Sequence, residues 1–129
     1  MTLQCGVQRV VQTGENIKSI TVQELHTRMK KSGTTFLLDV REPMELTLGG
    51  AIEGVHNISI SVLKDQIGTL PKNKDAEIVC VCQSGGRSLE AAHVLQQLGY
   101  ENVLNLTGGT SGWIKAGFPV TRSKDAASQ

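Results

Sequence analysis

The chain has 129 residues, of which 39% are hydrophobic and 19% charged, with 13 Lys and Arg against 12 Asp and Glu. That is one domain's worth of sequence with an ordinary globular composition, long enough to bury a core without staples. A formal charge of +1 with no basic stripe argues against nucleic acid as a partner, and no apolar run approaches the ~20 residues of a membrane helix.

Residues 1–17 show no clear period and read as an N-terminal extension. They are too polar for a signal peptide, and the single Arg9 makes a poor mitochondrial presequence. The folded unit is expected over 18–121, with a flexible polar tail over 122–129. Thr21-Val-Gln-Glu24 has the form of a capping box, followed by Val22, Leu25 and Met29 at helical spacing, with Gly33 as the stop. Phe36 to Val40 is a short apolar run suited to a buried strand. Pro43 then breaks the pattern, and Leu46 to Gly54 reads as a glycine-punctuated loop. Asn57 to Ile60 suggests another strand, and Ser61 a cap for a short helix carrying Val62, Leu63 and Ile67.

Ile78 to Cys82 is apolar at every position, the mark of a strand buried on both faces of a parallel sheet. A glycine-containing loop, Gln83 to Arg87, follows. Ser88 opens a helix with Ala91, Ala92, Leu95 and Leu98 inward, and Gly99 stops it. Asn102 to Leu106 is the next strand, and Gly108-Gly109 turns into a last helix with Trp113 and Ile114. Strands alternating with helices imply an α/β fold with a parallel sheet, whose function sits at the carboxyl ends of the strands. Cys82 occupies that place.

Three cysteines, Cys5, Cys80 and Cys82, cannot all pair within one chain. So sparse and odd a set points to a reducing compartment, read as cytoplasmic, and to a reactive thiol. No CxxC pattern exists, so no metal site is expected. Cys80, mid-strand between Val79 and Val81, is a core residue; Cys5 is a bystander. Cys82 differs because Cys82-Gln83-Ser84-Gly85-Gly86-Arg87-Ser88 joins a strand to a helix. Gly85 and Gly86 allow successive N–H groups to converge as an anion nest, the helix adds its positive end, and Arg87 adds a full charge. A thiol there ionises easily, and the thiolate is the nucleophilic form.

The chain resembles a single-domain rhodanese, a sulfurtransferase module, over about Ser19 to Val120. Leu37-Leu-Asp-Val-Arg-Glu-Pro-Met-Glu45 resembles the family's opening signature, Cys82 to Ser88 its active-site loop. Asn105-Leu-Thr-Gly-Gly-Thr-Ser-Gly-Trp113, followed by Ala116-Gly-Phe-Pro-Val120, resembles its closing signature. The likeness implies a rhodanese-like three-layer fold with a central, mainly parallel sheet flanked by helices. It also implies a two-step mechanism in which Cys82 takes the outer sulfur of a donor such as thiosulfate as a persulfide. A thiophile, cyanide or a thiol, then removes it, with no cofactor. The implied partners are therefore a small anionic sulfur donor and a thiophilic acceptor, or a sulfur-accepting protein.

By the same resemblance Gln83, Ser84, Gly85, Gly86, Arg87 and Ser88 hold the substrate. Asp39 supports the loop through its N–H groups or Arg87. Arg41 is expected to pair with Glu45 at the rim, with substrate contact as its second role. Trp113 packs under the closing loop, and Ser88 is either a donor to the persulfide or a helix N-cap. His93 lies too far along its helix to face Cys82, His26 is expected at the surface, and His56 passes near the site. Where the family has Gly-His-Ile-Pro-Gly-Ala, this chain has Gly50-Ala-Ile-Glu-Gly-Val55.

Two other functions compete. One is a non-catalytic or relay module that binds, or passes sulfur to, a protein. The other is a cysteine-dependent phosphatase or arsenate reductase, but those enzymes have one residue more between Cys and Arg than the four between Cys82 and Arg87.

Overall fold

The structure is a computed structural model, and it describes residues 17–31 and 35–121. Cys5, Gly33 as a helix stop, and the tail over 122–129 lie outside the described residues. Five strands form one parallel sheet in the order β1-β6-β5-β2-β4: β1 (Lys18–Ile20), β6 (Val103–Leu106), β5 (Ile78–Val81), β2 (Phe36–Asp39) and β4 (His56–Asn57). A second, antiparallel pair joins β3 (Ala51–Ile52) to β7 (Val120–Thr121).

The strands alternate inward residues between two cores, as a pleat requires. Val79, Val81, Leu37 and Leu106 face one side, where they meet Val22 and Leu25 of helix α1 (Val22–Lys31) and Trp113 of helix α4 (Gly109–Lys115). Ile78, Cys80, Leu38 and Val103 face the other, under Ala91, Ala92 and Leu95 of helix α3 (Gly86–Gln97). β5 is buried along its whole length, as its unbroken apolar run implies. With helices on both faces, the molecule has the three layers expected of the sequence.

Thr21 and Glu24 do close a capping box at the start of α1, with Thr21 N–H to Glu24 at 2.9 Å and Glu24 N–H to the Thr21 hydroxyl at 3.0 Å. Elsewhere the local reading needs correction. The loop expected over 46–54 contains helix α2 (Pro43–Gly49) and then β3. Pro43 starts this helix rather than breaking it. The missing proline N–H is one the first turn leaves unpaired in any case, and Glu42 and Glu45 form a second capping box around it. The strand expected over 57–60 shrinks to His56–Asn57, because Ile58 and Ile60 N–H groups turn to the carbonyls of Asp39 and Val40. Beyond it lies a 3₁₀ stretch, Ile60–Thr69, capped by the Ser59 side chain rather than by Ser61. Leu63 is buried there, whereas Val62 and Ile67 are exposed.

Candidate active site

The carboxyl end of β5 delivers Cys82 to the first turn of α3. The residue is only 1% exposed. Its thiol lies 3.3 Å from the Ser88 hydroxyl, and the Gly85 N–H points at Sγ from 3.0 Å. Gly85 makes this possible with φ of 121°, a backbone angle that side-chain-bearing residues rarely adopt. Burial alone raises the thiol's pKa. The Ser88 hydroxyl and the N–H groups of Ser88, Gly85 and Ser84 outweigh it, so the pKa lies below its ordinary value. Cys80, two residues earlier and fully buried, has no such donors; burial first and Cys82 second push its pKa far up. Two thiols two residues apart, one inside β5 and one just past its end, are thus shifted in opposite directions.

Ser88 is the third residue of α3 rather than its N-cap, a place held by Gly85. From there its side chain turns inward, and it is fully buried. The loop is supported from below by α4. Thr110 N–H donates to the Cys82 carbonyl at 2.9 Å and Ser111 N–H to the Gln83 carbonyl at 3.0 Å. Gly109 makes the approach possible. A Cβ there would stand 2.5 Å from the Cys82 carbonyl oxygen, and its φ is +58°. The Gln83 side chain is tied down as well, donating to the Ser111 hydroxyl at 2.6 Å and accepting from Arg41 at 3.3 Å.

The charged residues pair differently from the sequence reading. Arg41 does not bind Glu45. Its guanidinium grips Asp39, Nη2 to Oδ2 at 2.9 Å and Nε to Oδ1 at 3.0 Å, and also reaches the Gly50 carbonyl at 3.0 Å. Both side chains are buried. Asp39 therefore hydrogen-bonds Arg41 rather than Arg87, and accepts the Arg41 N–H too. Asn57 Nδ2 completes the turn, donating to the carbonyls of Asp39 and Arg41, each at 2.9 Å. Arg87 is held by Glu45 through two bonds of 2.8 Å. The physical reason is the start of α2: with Pro43 as its first residue, Arg41 lies before the helix and cannot meet Glu45 at helical spacing.

The histidines stay apart from the thiol's hydrogen bonds. His26 is half-buried rather than at the surface, its ring stacked on Phe118 at 4.0 Å and edge-on to Trp113. His56 pairs in register with Leu38 and stacks on Phe36, toward the start of β2 and away from the site. Trp113 packs as expected, buried with its Nε1–H on the Pro119 carbonyl at 2.8 Å. Among the described residues no group of three or more His, Cys, Asp and Glu is placed to hold a metal ion, and no helix is long and apolar enough to cross a membrane.

Residues 21–116 match the Rhodanese-like domain family. The chain belongs to the rhodanese-like domain family. A "Sulfurtransferase" of Allochromatium vinosum is 32% identical over 104 residues, covering 81% of this chain and 94% of the relative. Among solved structures, a rhodanese-related protein of Thermoplasma volcanium superposes with a TM-score of 0.73 at 36% identity, over 82% of this chain and 99% of that one. The human single-domain sulfurtransferase TSTD1 superposes at 0.68 with 28% identity, over 78% and 97%. Within this rhodanese-like domain three residues carry structural weight that motif reading passed over. Asn57 and Asn105 hold loop carbonyls, and Gly109 admits the loop's backbone. The Gly-Gly pair at 108–109 was legible as a turn, but its closeness to Cys82 was not.

Proposed function

We propose that this rhodanese-like domain is a sulfurtransferase with Cys82 as the sulfur carrier. The observation that carries the reading is the Sγ of Cys82, held between the Gly85 N–H and the Ser88 hydroxyl at the end of β5. In the first step the thiolate attacks the outer sulfur of a sulfane donor. With thiosulfate, the S–S bond breaks, sulfite leaves with the electron pair, and Cys82 becomes a persulfide. In the second, a thiophile attacks the terminal sulfur and the thiolate departs; cyanide gives thiocyanate, a thiol gives a new persulfide. Loop N–H groups stabilise the anion in both states. A nucleophile so deeply buried suits transfer of one terminal atom rather than attack on a bulky centre. Gln83, Ser84, Gly86 and Arg87 form the rest of the cradle, while Asp39 and Arg41 brace it from β2. Arg87 turns outward to Glu45, which supports sulfur transfer over a phosphate-holding ring.

A second reading is favoured by the same charges. Both guanidinium groups beside the loop are committed to carboxylates, so a dianion meets no unpaired cation from either. A less charged donor, such as a thiol persulfide or the persulfide of a partner protein, fits that balance.

Intact mass before and after incubation tests both. Thiosulfate adds one sulfur atom to the wild-type chain, cyanide removes it, and Cys82→Ser takes up none. Loading by an alkyl persulfide but not by thiosulfate selects the second reading. Loading of Cys82→Ser, or of neither donor on the wild type, defeats both.

A further inference from the structure

Asn105 stands on β6 in register with Cys80, on the sheet face that carries Cys82, and is 8% exposed. Its amide spans two groups of the loop. Nδ2 donates to the Gly85 carbonyl at 3.3 Å, and Oδ1 accepts from the Ser88 hydroxyl. The first contact sets the orientation of the second, since a carbonyl can be met only by the NH₂ end of the amide. Oδ1 is thereby fixed on Ser88.

Ser88 has one hydroxyl proton and three candidate acceptors. One is Asn105 Oδ1. Another is the Gly85 carbonyl at 3.2 Å, which already accepts from Leu89 N–H at 3.2 Å and from Asn105. The last is the Cys82 sulfur after ionisation. While Cys82 is a thiol, its S–H donates to Ser88 Oγ, Ser88 donates to Asn105, and every group is satisfied. When the thiol proton leaves to solvent, sulfur becomes an acceptor only. The Ser88 O–H bond stays intact, but the hydroxyl must swing from Asn105 to sulfur, and the buried Oδ1 loses its donor.

We propose that Asn105 is a positioning residue: by competing for the single Ser88 proton, it sets how readily Cys82 passes to the thiolate. Formation of a persulfide ends the competition, because the inner sulfur is then neutral and the hydroxyl returns to Asn105. The proposal rests on Cys82 as the sulfur carrier for its meaning, but it is read on thiol ionisation alone. The other ionisable groups around Cys82 are Cys80 in β5, Arg87 on α3 with Glu45 on α2, and Asp39 at the end of β2 with Arg41 just after it. None contacts Asn105 in the hydrogen-bond network.

The test is the rate of Cys82 alkylation by iodoacetamide against pH on the full chain, with the modified residue located by mass. Asn105→Leu removes the competitor and lowers the midpoint by about half a unit to one unit. Asn105→Asp presents a stronger acceptor and raises it. Adding Ser88→Ala abolishes the leucine effect and reduces the aspartate effect to that of its charge. A merely structural role loosens the cradle and moves both single variants upward. A leucine midpoint that is unchanged, raised, or still lowered without Ser88 overturns the proposal. Should Asn105→Leu not fold, an aspartate shift of equal size with and without Ser88 overturns it. Failure of sulfur loading in the wild type defeats the functional reading and leaves these alkylation results standing.

Discussion

Arg87 and Glu45 clasp each other across the mouth of the loop, the two terminal guanidinium nitrogens each 2.8 Å from a different carboxylate oxygen. The clasp ties α2 to α3 and neutralises the loop's own cation. Glu45→Gln therefore exposes Arg87 to incoming anions. Alkylation by anionic iodoacetate should accelerate about two- to five-fold relative to neutral iodoacetamide. An unchanged ratio would mean that Arg87 does not act at the mouth.

Arg87→Ala alone leaves a carboxylate near the thiol and raises the Cys82 pKa, whereas Arg87→Ala with Glu45→Ala returns it close to wild type. The alkylation midpoint against pH separates the two. Equal shifts in the single and double variants would show that Arg87 acts on sulfur without regard to its partner.

The same clasp makes a modest, pH-dependent contribution to stability. The side-chain hydrogen bond from Arg87 holds the Glu45 carboxyl down to about 2, from an ordinary value of 4.5. A depressed carboxyl stabilises the fold above its unfolded pKa and loses that effect as pH falls through its folded one. The side chains are 39% and 34% exposed, so solvent screening limits the pair to less than about 1 kcal/mol. The stability gap between wild type and Arg87→Ala should be constant above about pH 5 and close as pH falls toward 2. Denaturant melts across that range would show a flat gap if the pair contributes nothing.

Gly109 meets the loop's backbone with no room for a methyl group. Gly109→Ala forces a Cβ onto the Cys82 and Gln83 carbonyl groups at a left-handed φ. It should cost about 2–4 kcal/mol. Gly49→Ala, where a Cβ meets nothing within 4 Å, is the control and should stay within about 0.5 kcal/mol of wild type. Similar urea midpoints for the two variants would contradict the packing.

Asp39 and Arg41 are both buried and satisfy each other. Arg41→Met strands the carboxylate and should cost about 3–5 kcal/mol. Asp39→Asn added to it should recover much of that loss, since no buried charge then remains. Additive losses in the double variant would show that the two residues act independently.

How much of this was readable in advance depended on the range of each interaction. β5 announced itself through Ile78 to Val81, because burial on both faces needs apolar residues at every position. Cys82 followed, since a strand-to-helix turn with glycines fixes a local geometry that sequence neighbours share. The charged pairs were not legible. Arg41 and Glu45 are spaced as a helical pair, but the helix begins at Pro43, so Arg41 points back to Asp39. Glu45 meets Arg87, 42 positions away, and only the parallel order of β2 and β5 brings them together. Pro43 carried two opposite signals, breaker and helix start, and Glu45 three residues after Glu42 decides for the start. Asn105 looked like a strand residue among others. Its meaning lies in a register with Cys80 that no local pattern encodes.

The hydrogen bonds from Thr110 and Ser111 to the Cys82 and Gln83 carbonyls have a temporal consequence. On the ribosome the nucleophile is synthesised well before the segment that braces it. Until Thr110 and Ser111 have emerged and docked, the Cys82 and Gln83 carbonyls lack the N–H groups that brace the loop. Without that brace the Gly85 N–H is not held on the Cys82 sulfur, and the thiol loses part of what favours its ionised form. The full readiness of Cys82 therefore waits for the last helix of the fold, synthesised some thirty residues after the nucleophile itself.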